Sequence, residues 1–366
     1  MKLIIIEDSE ESRLLKKNFE HYLSFRGKTE GLQINIAEIR DAIAYAESED
    51  ECFYVFHSKQ RRKEIIRKAG LLEKYVSLNK IFVASIELMY ANWELIDEEK
   101  LLIPINIFDY MDTILISVCE HCNLNCKGCS HFSSLVEDEH YLDYEQYCRD
   151  LSRIKVMINH TNRINFLGGE PLLHKKLPDF IKYARDIYPY AEINLVTNGI
   201  LLRHIPKELK SIILETNTKI LLSLYPPFEV YRKSTENFLQ LEKLPYRLLP
   251  MTGFAPMLQE SYEVFPEKTN EIICSNNVML QDGYLARCPM YMTVKYYNER
   301  FNENYPYKDG LLNIYTEGLN ANAIHEFLYK PHELCHYCAR YKMPNAGMKE
   351  WKCYKKEEAP VKEDWL

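Results

Sequence analysis

The chain has 366 residues, of which 46% are hydrophobic and 27% are charged, and its formal net charge is −7. This balance excludes an intrinsically disordered chain, and no stretch reaches the ~18 apolar residues of a membrane-spanning helix. The negative charge argues against a nucleic-acid partner, because phosphate binding calls for a basic face. A chain of this length is expected to divide into two or three domains.

Cysteine is abundant, at eleven residues, and glycine is scarce, at twelve. Five of the cysteines lie between Cys119 and Cys148. The opening segment Met1–Asp8 turns acidic after four apolar residues, which is unlike a secretory signal, so we expect a cytoplasmic protein. Thiols stay reduced in that compartment, and clustered cysteines then indicate metal binding or catalysis rather than disulfides.

Residues 1–105 read as a small α/β domain in which strands and helices alternate, a pattern that predicts a parallel sheet. Its opening strand resembles that of a response-regulator receiver, but no carboxylate follows the third strand, which ends at Phe56-His57. A Gly-rich nucleotide loop is also absent after the first strand. No role is assigned to this domain. The predicted strands are Leu3–Ile6, Leu32–Ile36, Cys52–Phe56 and Lys80–Val83.

Residues 106–258 show a stronger alternation of strands and helices, which indicates an α/β barrel or a doubly wound sheet. In such folds the active site gathers at the carboxyl ends of the strands, and the unusual residues of this chain follow strand ends. Residues 259–366 form a loop-rich, aromatic third part with dispersed cysteines. The predicted strands are Thr113–Val118, Arg163–Leu167, Glu192–Val196, Lys219–Leu224 and Arg247–Leu249.

Cys122, Cys126 and Cys129 form a C-x3-C-x2-C pattern directly after the first of these strands. Three thiolates on a cubane of four irons leave one iron open to a non-protein ligand, whereas an electron-transfer cluster takes four cysteines. Zinc is the competing metal. Counting Cys119, two C-x2-C pairs lie only three residues apart, whereas zinc sites separate such pairs by roughly a dozen or more. The spacing therefore favours iron and sulfur.

This segment resembles the radical S-adenosylmethionine (SAM) enzymes, whose motif is C-x3-C-x2-C in the loop after the first barrel strand. The resemblance covers Thr113–Tyr225 and extends to the C-terminus. It implies an α/β fold with a partial (β/α)6 barrel, in which the three cysteines hold a [4Fe–4S] cluster and SAM chelates the open iron. Reductive cleavage of SAM then gives a 5′-deoxyadenosyl radical, which abstracts a substrate hydrogen.

The same resemblance extends to the ends of the following strands. Gly168-Gly169-Glu170-Pro171 matches the family's GGEP motif, in which the glycines let the backbone approach the ligand closely and Glu170 accepts the SAM ammonium. Asn198 and Ser223 match positions that hydrogen-bond the ribose or the methionyl carboxylate. Ordinary capping roles are the alternative for both side chains.

One position departs from the family pattern. An aromatic residue usually precedes the last cluster cysteine and flanks the adenine, and this chain has Gly128 there. His131 or Phe132 is expected to compensate. The surrounding sequence CNLNCKGCSHF resembles a subgroup that departs in the same way.

The later cysteines resemble a twitch-type, SPASM-like auxiliary-cluster domain. Five cysteines lie beyond residue 259, whereas two further cubanes would need about eight thiolates, so the resemblance implies one auxiliary [4Fe–4S] cluster. Zinc on the same thiols is the alternative, because C-x2-C alone is generic. The expected ligands are Cys274, Cys288, Cys335 and Cys338.

Four cysteines remain outside both ligand sets. Some radical SAM epimerases use a thiol to return a hydrogen atom to the substrate radical, and Cys119, Cys148 and Cys353 are candidates because they lie close in sequence to cluster ligands. Cys52 is not close in sequence to a ligand, and simple packing is the alternative role for all four thiols. The side chains expected to line the pocket are Tyr225, Tyr291 and His131.

The sequence thus predicts an oxygen-sensitive radical SAM enzyme of the oxidoreductase or epimerase class. The expected substrate is a sugar or another small polar molecule that undergoes dehydrogenation or epimerisation, with flavodoxin or ferredoxin as reductant. The first alternative is a maturase for a ribosomally made peptide, which often carries a winged-helix domain. A non-enzymatic metal-binding protein is the second alternative, and it leaves Gly168–Pro171 unexplained.

Overall fold

A computed structural model describes residues 2–27, 31–48, 52–60, 62–89, 101–105, 110–265, 277–342 and 347–366. The chain divides into two compact units, Met1–Asp112 and Thr113–Leu366. Each unit is described by itself. No helix in the described ranges has both the length and the apolar character needed to cross a membrane.

The first unit is an alternating α/β domain, as the sequence predicts. Among its described residues the sheet order is β2-β1-β3-β4-β5, in which β1 to β4 pair in parallel and β5 is antiparallel to β4. The strands are β1 (Lys2–Ile6), β2 (Gln33–Ala37), β3 (Cys52–Phe56), β4 (Ile81–Ala84) and β5 (Leu102–Pro104). The helices are α1 (Glu10–Phe25), α2 (Ile39–Ser48), α3 (Arg62–Leu72) and α4 (Ile86–Met89).

Strand β1 shows why this sheet forms. Successive side chains of a strand point to opposite faces, and here both faces are covered. Ile4 and Ile6 pack into one apolar cluster, whereas Leu3 and Ile5 pack into the other. An uninterrupted apolar run is therefore the expected sequence for this position.

The second unit is built on one large sheet. Its strands are β6 (Tyr110–Cys119), β7 (His160–Gly168), β8 (Glu192–Thr197), β9 (Lys219–Leu224), β10 (Tyr246–Pro250), β12 (Val278–Gln281), β13 (Tyr284–Ala286) and β14 (Leu311–Asn313). The short strands β11 (Gly253–Phe254) and β15 (Lys349–Glu350) pair separately. The helices are α5 (Tyr144–Met157), α6 (Leu177–Ile187), α7 (Lys207–Glu215), α8 (Arg232–Leu241), α9 (Met290–Phe301) and α10 (Ala321–Tyr329).

Within the described residues the order of this sheet is β10-β9-β8-β7-β6-β12-β13-β14. Strands β7 to β10 pair in parallel in chain order, which confirms the predicted βα repeats. A further parallel strand, β12, lies beside β6 rather than beside β10, and β13 and β14 extend that edge in antiparallel pairs. Among the strands that the structure describes, the sheet is open, with β10 and β14 at its edges, as in a partial barrel.

The strand order also locates the parts of the second unit. Strands β12 to β14 belong to the same sheet as β6 to β10, so the division predicted at residue 258 falls inside one compact unit and stays a prediction. Because β6 to β9 are neighbours, the segments that follow them lie at one edge of the sheet. The residues singled out by the sequence are in those segments.

Candidate functional site

The loop after β6 is held against the end of β7 by two glycines. The N–H groups of Gly169 and Glu170 donate to the carbonyls of Cys119 and His121 at 2.8 and 3.1 Å. Gly168 has a φ of +138°, and a Cβ there would lie 2.0 Å from the Cys119 carbonyl oxygen, while one on Gly169 would lie 1.9 Å from that of His121. The backbone of the cysteine-bearing loop therefore occupies the space that side chains at Gly168 and Gly169 would need.

Glu170 is fully buried and is fixed by its neighbours at the end of β8. Its Oε1 accepts from the Thr197 hydroxyl at 2.6 Å and from the Leu172 N–H at 3.1 Å, and its Oε2 accepts from the Asn198 N–H at 2.9 Å. Burial raises the pKa of the carboxyl to about 7, and these hydrogen bonds oppose the rise. Pro171, also buried, begins the short helical turn that follows.

Asn198 links this carboxylate to the cysteine loop. Its Nδ2 donates to Asn123 Oδ1 at 2.7 Å and lies 3.7 Å from Cys122 Sγ, while its Oδ1 accepts from the Ile200 N–H at 3.0 Å. Three elements that are distant in sequence, the loop after β6, the end of β7 and the end of β8, therefore meet in one hydrogen-bonded network.

The end of β9 completes this group. Ser223 is buried there, and Tyr225 follows it. Burial, followed by proximity to the thiols of Cys129, Cys126 and Cys122, raises the pKa of the Tyr225 phenol. Tyr225 therefore lies near the three cysteines, and its role in lining a pocket stays a prediction.

The three thiols of the C-x3-C-x2-C loop lie close to one another. Burial raises the pKa of Cys122 to about 12, and it also raises the pKa of Cys126 and Cys129. Their mutual proximity adds to the rise, because a negative charge on one thiol opposes a charge on the next. Such a donor set suits a cationic centre that removes this repulsion.

A C-terminal strap, residues 349–366, runs along the cysteine loop. The Lys127 N–H donates to the Lys352 carbonyl and the Tyr354 N–H to the Asn125 carbonyl, both at 2.8 Å. An antiparallel bridge pairs Cys126 with Cys353. The strap and the cysteine loop are thus joined by a short run of antiparallel backbone pairing.

Two indole rings of the strap reach the cysteines. Trp351 Nε1–H donates to Cys126 Sγ at 3.2 Å, and Trp365 Nε1–H donates to the Cys129 carbonyl at 2.9 Å. Sequence reasoning missed both tryptophans, because they follow the motif by more than 200 residues and belong to no recognised pattern.

The strap also explains the glycine that departs from the family motif. Gly128 has a φ of +67°, and a Cβ there would lie 2.6 Å from the Asp364 carbonyl oxygen. Of the two residues expected to compensate, Phe132 is fully buried and stacks on Trp365 with ring centroids 5.9 Å apart. Burial lowers the pKa of His131 to about 4. The Phe132 ring is therefore part of the hydrophobic core.

The C-terminal cysteines can be placed in part. Cys274 lies outside the described residues. Cys335 Sγ and the Tyr291 hydroxyl are 3.1 Å apart, and the thiols of Cys335 and Cys288 both raise the pKa of Tyr291, after burial as the main cause. Cys338 follows Cys335 in a short turn and packs against the same apolar cluster.

The candidate hydrogen-donor thiols have different surroundings. Cys119 is buried, its Sγ lies 3.0 Å from the Glu170 carbonyl, and burial raises its pKa to about 12. Cys148 lies on α5 and hydrogen-bonds Tyr144. Cys353 alone of these three lies in the strap, facing Cys126 across the bridge.

No group of three or more His, Cys, Asp or Glu side chains in the described ranges has the spacing that a metal ion requires. A cubane sets a different requirement, because each thiolate binds its own iron. Cys122, Cys126 and Cys129 supply three thiolates from one loop, in which Cys126 is buried and the other two are partly buried, and that donor chemistry fits a [4Fe–4S] cluster.

Comparison with known proteins agrees with this geometry. Residues 116–236, from β6 into α8, match the family model described as the Radical SAM superfamily. The chain contains a radical SAM domain. Domains of this superfamily use SAM and a [4Fe–4S] cluster.

Curated relatives match parts of the chain. It is 35% identical over 103 residues to the GTP 3′,8-cyclase of Campylobacter curvus (strain 525.92), covering 27% of this chain and 31% of the relative. It is 29% identical over 173 residues to the probable GTP 3′,8-cyclase of Methanococcus aeolicus, covering 45% of this chain and 52% of the relative. The match thus spans about a third of the first relative and about half of the second.

Solved structures are similar at a lower level. The crystal structure of BtrN in complex with AdoMet and 2-DOIA is 17% identical to this chain. The match covers 63% of this chain and 93% of BtrN, with a TM-score of 0.40.

Proposed function

We propose that this protein reductively cleaves SAM and abstracts a hydrogen atom from a sugar or another small polar substrate, leading to dehydrogenation or epimerisation. The observation that carries the proposal is the network in which Asn198 joins the buried Glu170 to Asn123 and Cys122. It unites the cluster motif with the motif assigned to SAM. The 3′ position in the name of the cyclase relatives denotes a sugar carbon of GTP, which supports a substrate of this class.

The residues of the site have separable tasks in this proposal. Cys122, Cys126 and Cys129 would hold the [4Fe–4S] cluster and leave one iron open to SAM. When bound, the cluster and SAM supply the 5′-deoxyadenosyl radical that attacks the substrate C–H bond. Glu170 would accept the SAM ammonium, and its bonds to Thr197 and Asn198 keep the carboxylate in place.

The remaining cofactor contacts come from the strand ends. Gly168, Gly169 and Pro171 shape the turn that presents Glu170, while Asn198 and Ser223 would hydrogen-bond the ribose or the methionyl carboxylate. Tyr225 would close the pocket beside the thiols. Substrate bound against these groups would be shielded from water, which would protect a reactive radical from side reactions.

We further propose one auxiliary [4Fe–4S] cluster on Cys274, Cys288, Cys335 and Cys338. It would serve as an electron acceptor in a net oxidation or as a ligand of the substrate. For an epimerisation, Cys353 is the best-placed hydrogen donor, since it lies beside the cluster loop, while Cys119 and Cys148 remain alternatives. Reduced thiols and clusters of this kind require a reducing compartment, which supports the cytoplasm as the location.

The peptide-maturase alternative is weakened by the first unit. A winged-helix domain has its helices and strands in separate runs, whereas β1 to β4 alternate with helices in a parallel sheet. The alternating order of the first unit therefore disfavours the maturase alternative.

The decisive experiment is anaerobic reconstitution with iron and sulfide, followed by dithionite and SAM. The parent is expected to form 5′-deoxyadenosine and Cys126→Ala to form none, while Cys52→Ala, which alters only the core of the first unit, should match the parent. If Cys126→Ala is as active as the parent, the core assignment is wrong. About eight irons per chain would support two cubanes, and about four irons with one zinc would assign the auxiliary site to zinc.

A further inference from the structure

The surface beside Cys126 is a lysine-lined depression. Its volume is about 890 Å³, and it lies between the cysteine loop and the strap. The protein as a whole carries a net charge of −7, so a basic surface at this position is a local exception. The charged side chains that line it are Lys127, Lys352, Lys355, Lys356, Glu357 and Glu358.

The positive charge of this surface is available to a partner. Lys127 and Glu358 neutralise each other in an ion pair. Lys352, Lys355 and Lys356 are exposed and form no ion pair with another residue in the described part of the chain. The two acidic residues of the lining, Glu357 and Glu358, oppose the four lysines, and Glu358 also interacts electrostatically with Lys355. The result is a net positive rim on a negative protein.

The depression is one side chain away from a cluster ligand. Trp351 is half-buried and lines the depression, and its Nε1 lies 3.2 Å from Cys126 Sγ. Cys126 itself is only 6% exposed. An electron that arrives at this surface therefore needs to cross a single indole ring to reach the thiolate.

We propose that this depression is the docking surface for a small acidic one-electron donor protein of the flavodoxin class. The inference rests on the proposed function, which requires reduction of the cluster. In the transfer one electron leaves the reduced flavin of the donor and enters the oxidised cluster, and no bond forms or breaks. Charge complementarity steers such encounters, and electron-transfer partners use small, weak interfaces of this kind.

The test follows cluster reduction rather than turnover. Reduced flavodoxin is mixed anaerobically with the reconstituted, oxidised protein at low salt, and bleaching of the cluster absorbance is recorded. Lys355→Glu combined with Lys356→Glu should slow reduction at least about tenfold, and the strong salt dependence of the parent should disappear. Reduction by dithionite, which needs no docking, should keep the parent rate.

Lys207→Glu combined with Lys233→Glu gives the matched control. These lysines are exposed on α7 and α8, so the same change in net charge is made outside the depression. The control should be reduced at the parent rate. The milder pair Lys355→Ala and Lys356→Ala should give an intermediate rate.

Three results would overturn the docking surface. The first is that flavodoxin reduces the Lys355→Glu, Lys356→Glu variant at the parent rate. The second is that the Lys207→Glu, Lys233→Glu control loses as much of its flavodoxin reduction rate as that variant does. The third is that the variant's rate of reduction by dithionite falls by the same factor as its rate with flavodoxin. A parent that binds no SAM-responsive cluster would instead contradict the proposed function. The two failures are therefore distinguishable.

Discussion

The indole N–H of Trp351 donates a hydrogen bond to Sγ of Cys126, across 225 positions of sequence. A ligand sulfur becomes more negative when a cluster takes up an electron, so a donor N–H at that sulfur stabilises the reduced state. Trp351→Phe removes the donor and keeps an aromatic ring. We expect the reduction potential of the SAM-responsive cluster to become more negative, measured by EPR-monitored redox titration.

The size of that shift follows from the strength of one hydrogen bond. A net contribution of ~1 kcal/mol corresponds to a reduced-to-oxidised ratio about fivefold lower at the parent midpoint. Trp365→Phe is the matched control, because that indole donates to the Cys129 carbonyl and not to a sulfur. Equal midpoints for the parent and Trp351→Phe would contradict a role in tuning the cluster.

Gly128→Ala should loosen the strap. The new Cβ meets the Asp364 carbonyl oxygen at 2.6 Å, and the residue must also hold a φ of +67°. Gly318→Ala is the control, since its φ is +73° but nothing lies within 4 Å of the Cβ position. The control should lose only the ~1–2 kcal/mol of left-handed strain.

We expect Gly128→Ala to lose at least ~1 kcal/mol more than Gly318→Ala in urea unfolding of the full chain. Limited proteolysis should also cut its strap faster. Equal stability of the two variants would show that the strap does not press on Gly128.

The local parts of this structure were predictable from sequence. The four parallel strands of the first unit fall within one residue of their predicted starts, because each is an apolar run between turn residues. The Cys122 loop, Glu170 and Asn198 follow strand ends as expected. Their convergence needs only the rule that neighbouring parallel strands present their carboxyl ends together.

The long-range contacts, in contrast, could not be predicted from any local pattern in the sequence. The placement of β12 beside β6 joins segments more than 150 residues apart, and no periodicity in either strand specifies its partner. The strap is similar, since its short β15 and irregular residues have no local pattern that points to Cys126. In the sequence Gly128 is only a departure from a motif. The structure explains it by the Asp364 carbonyl, near the C-terminus, which leaves no room for a side chain at this position.

Glu170→Gln should weaken SAM binding. The substitution preserves the size of the side chain but removes the charge that would pair with the SAM ammonium. Hydrogen bonds to charged groups contribute ~1.5–3 kcal/mol, so the SAM dissociation constant should rise about 10- to 100-fold. Equilibrium dialysis of the reconstituted protein measures this. Glu192→Gln, a half-exposed residue at the start of β8, should bind SAM as the parent does.

His57 should make the first unit sensitive to acid. It is buried at the end of β3, and burial lowers its pKa to about 4. Glu11 and Glu7 favour its charged form, while Lys59 and Lys68 oppose it. Because the unfolded state, with a pKa near 6.5, binds a proton before the folded state does, stability is full above about pH 6.5 and falls as the pH drops towards 4.

The expected loss between pH 7 and pH 5 is about 2 kcal/mol. Hydrogen-exchange mass spectrometry of the full chain, corrected for intrinsic rates, should show it as faster exchange in β1 and β3 at the lower pH. His57→Gln removes the titrating group, so its exchange should depend less on pH, whereas His204→Gln, exposed in the second unit, should behave as the parent does. If β3 of the parent is equally protected from exchange at both pH values, His57 does not control the stability of the first unit. Protonation of a buried neutral imidazole costs free energy in the folded state, so control by His57 requires the protection of β3 to fall at the lower pH.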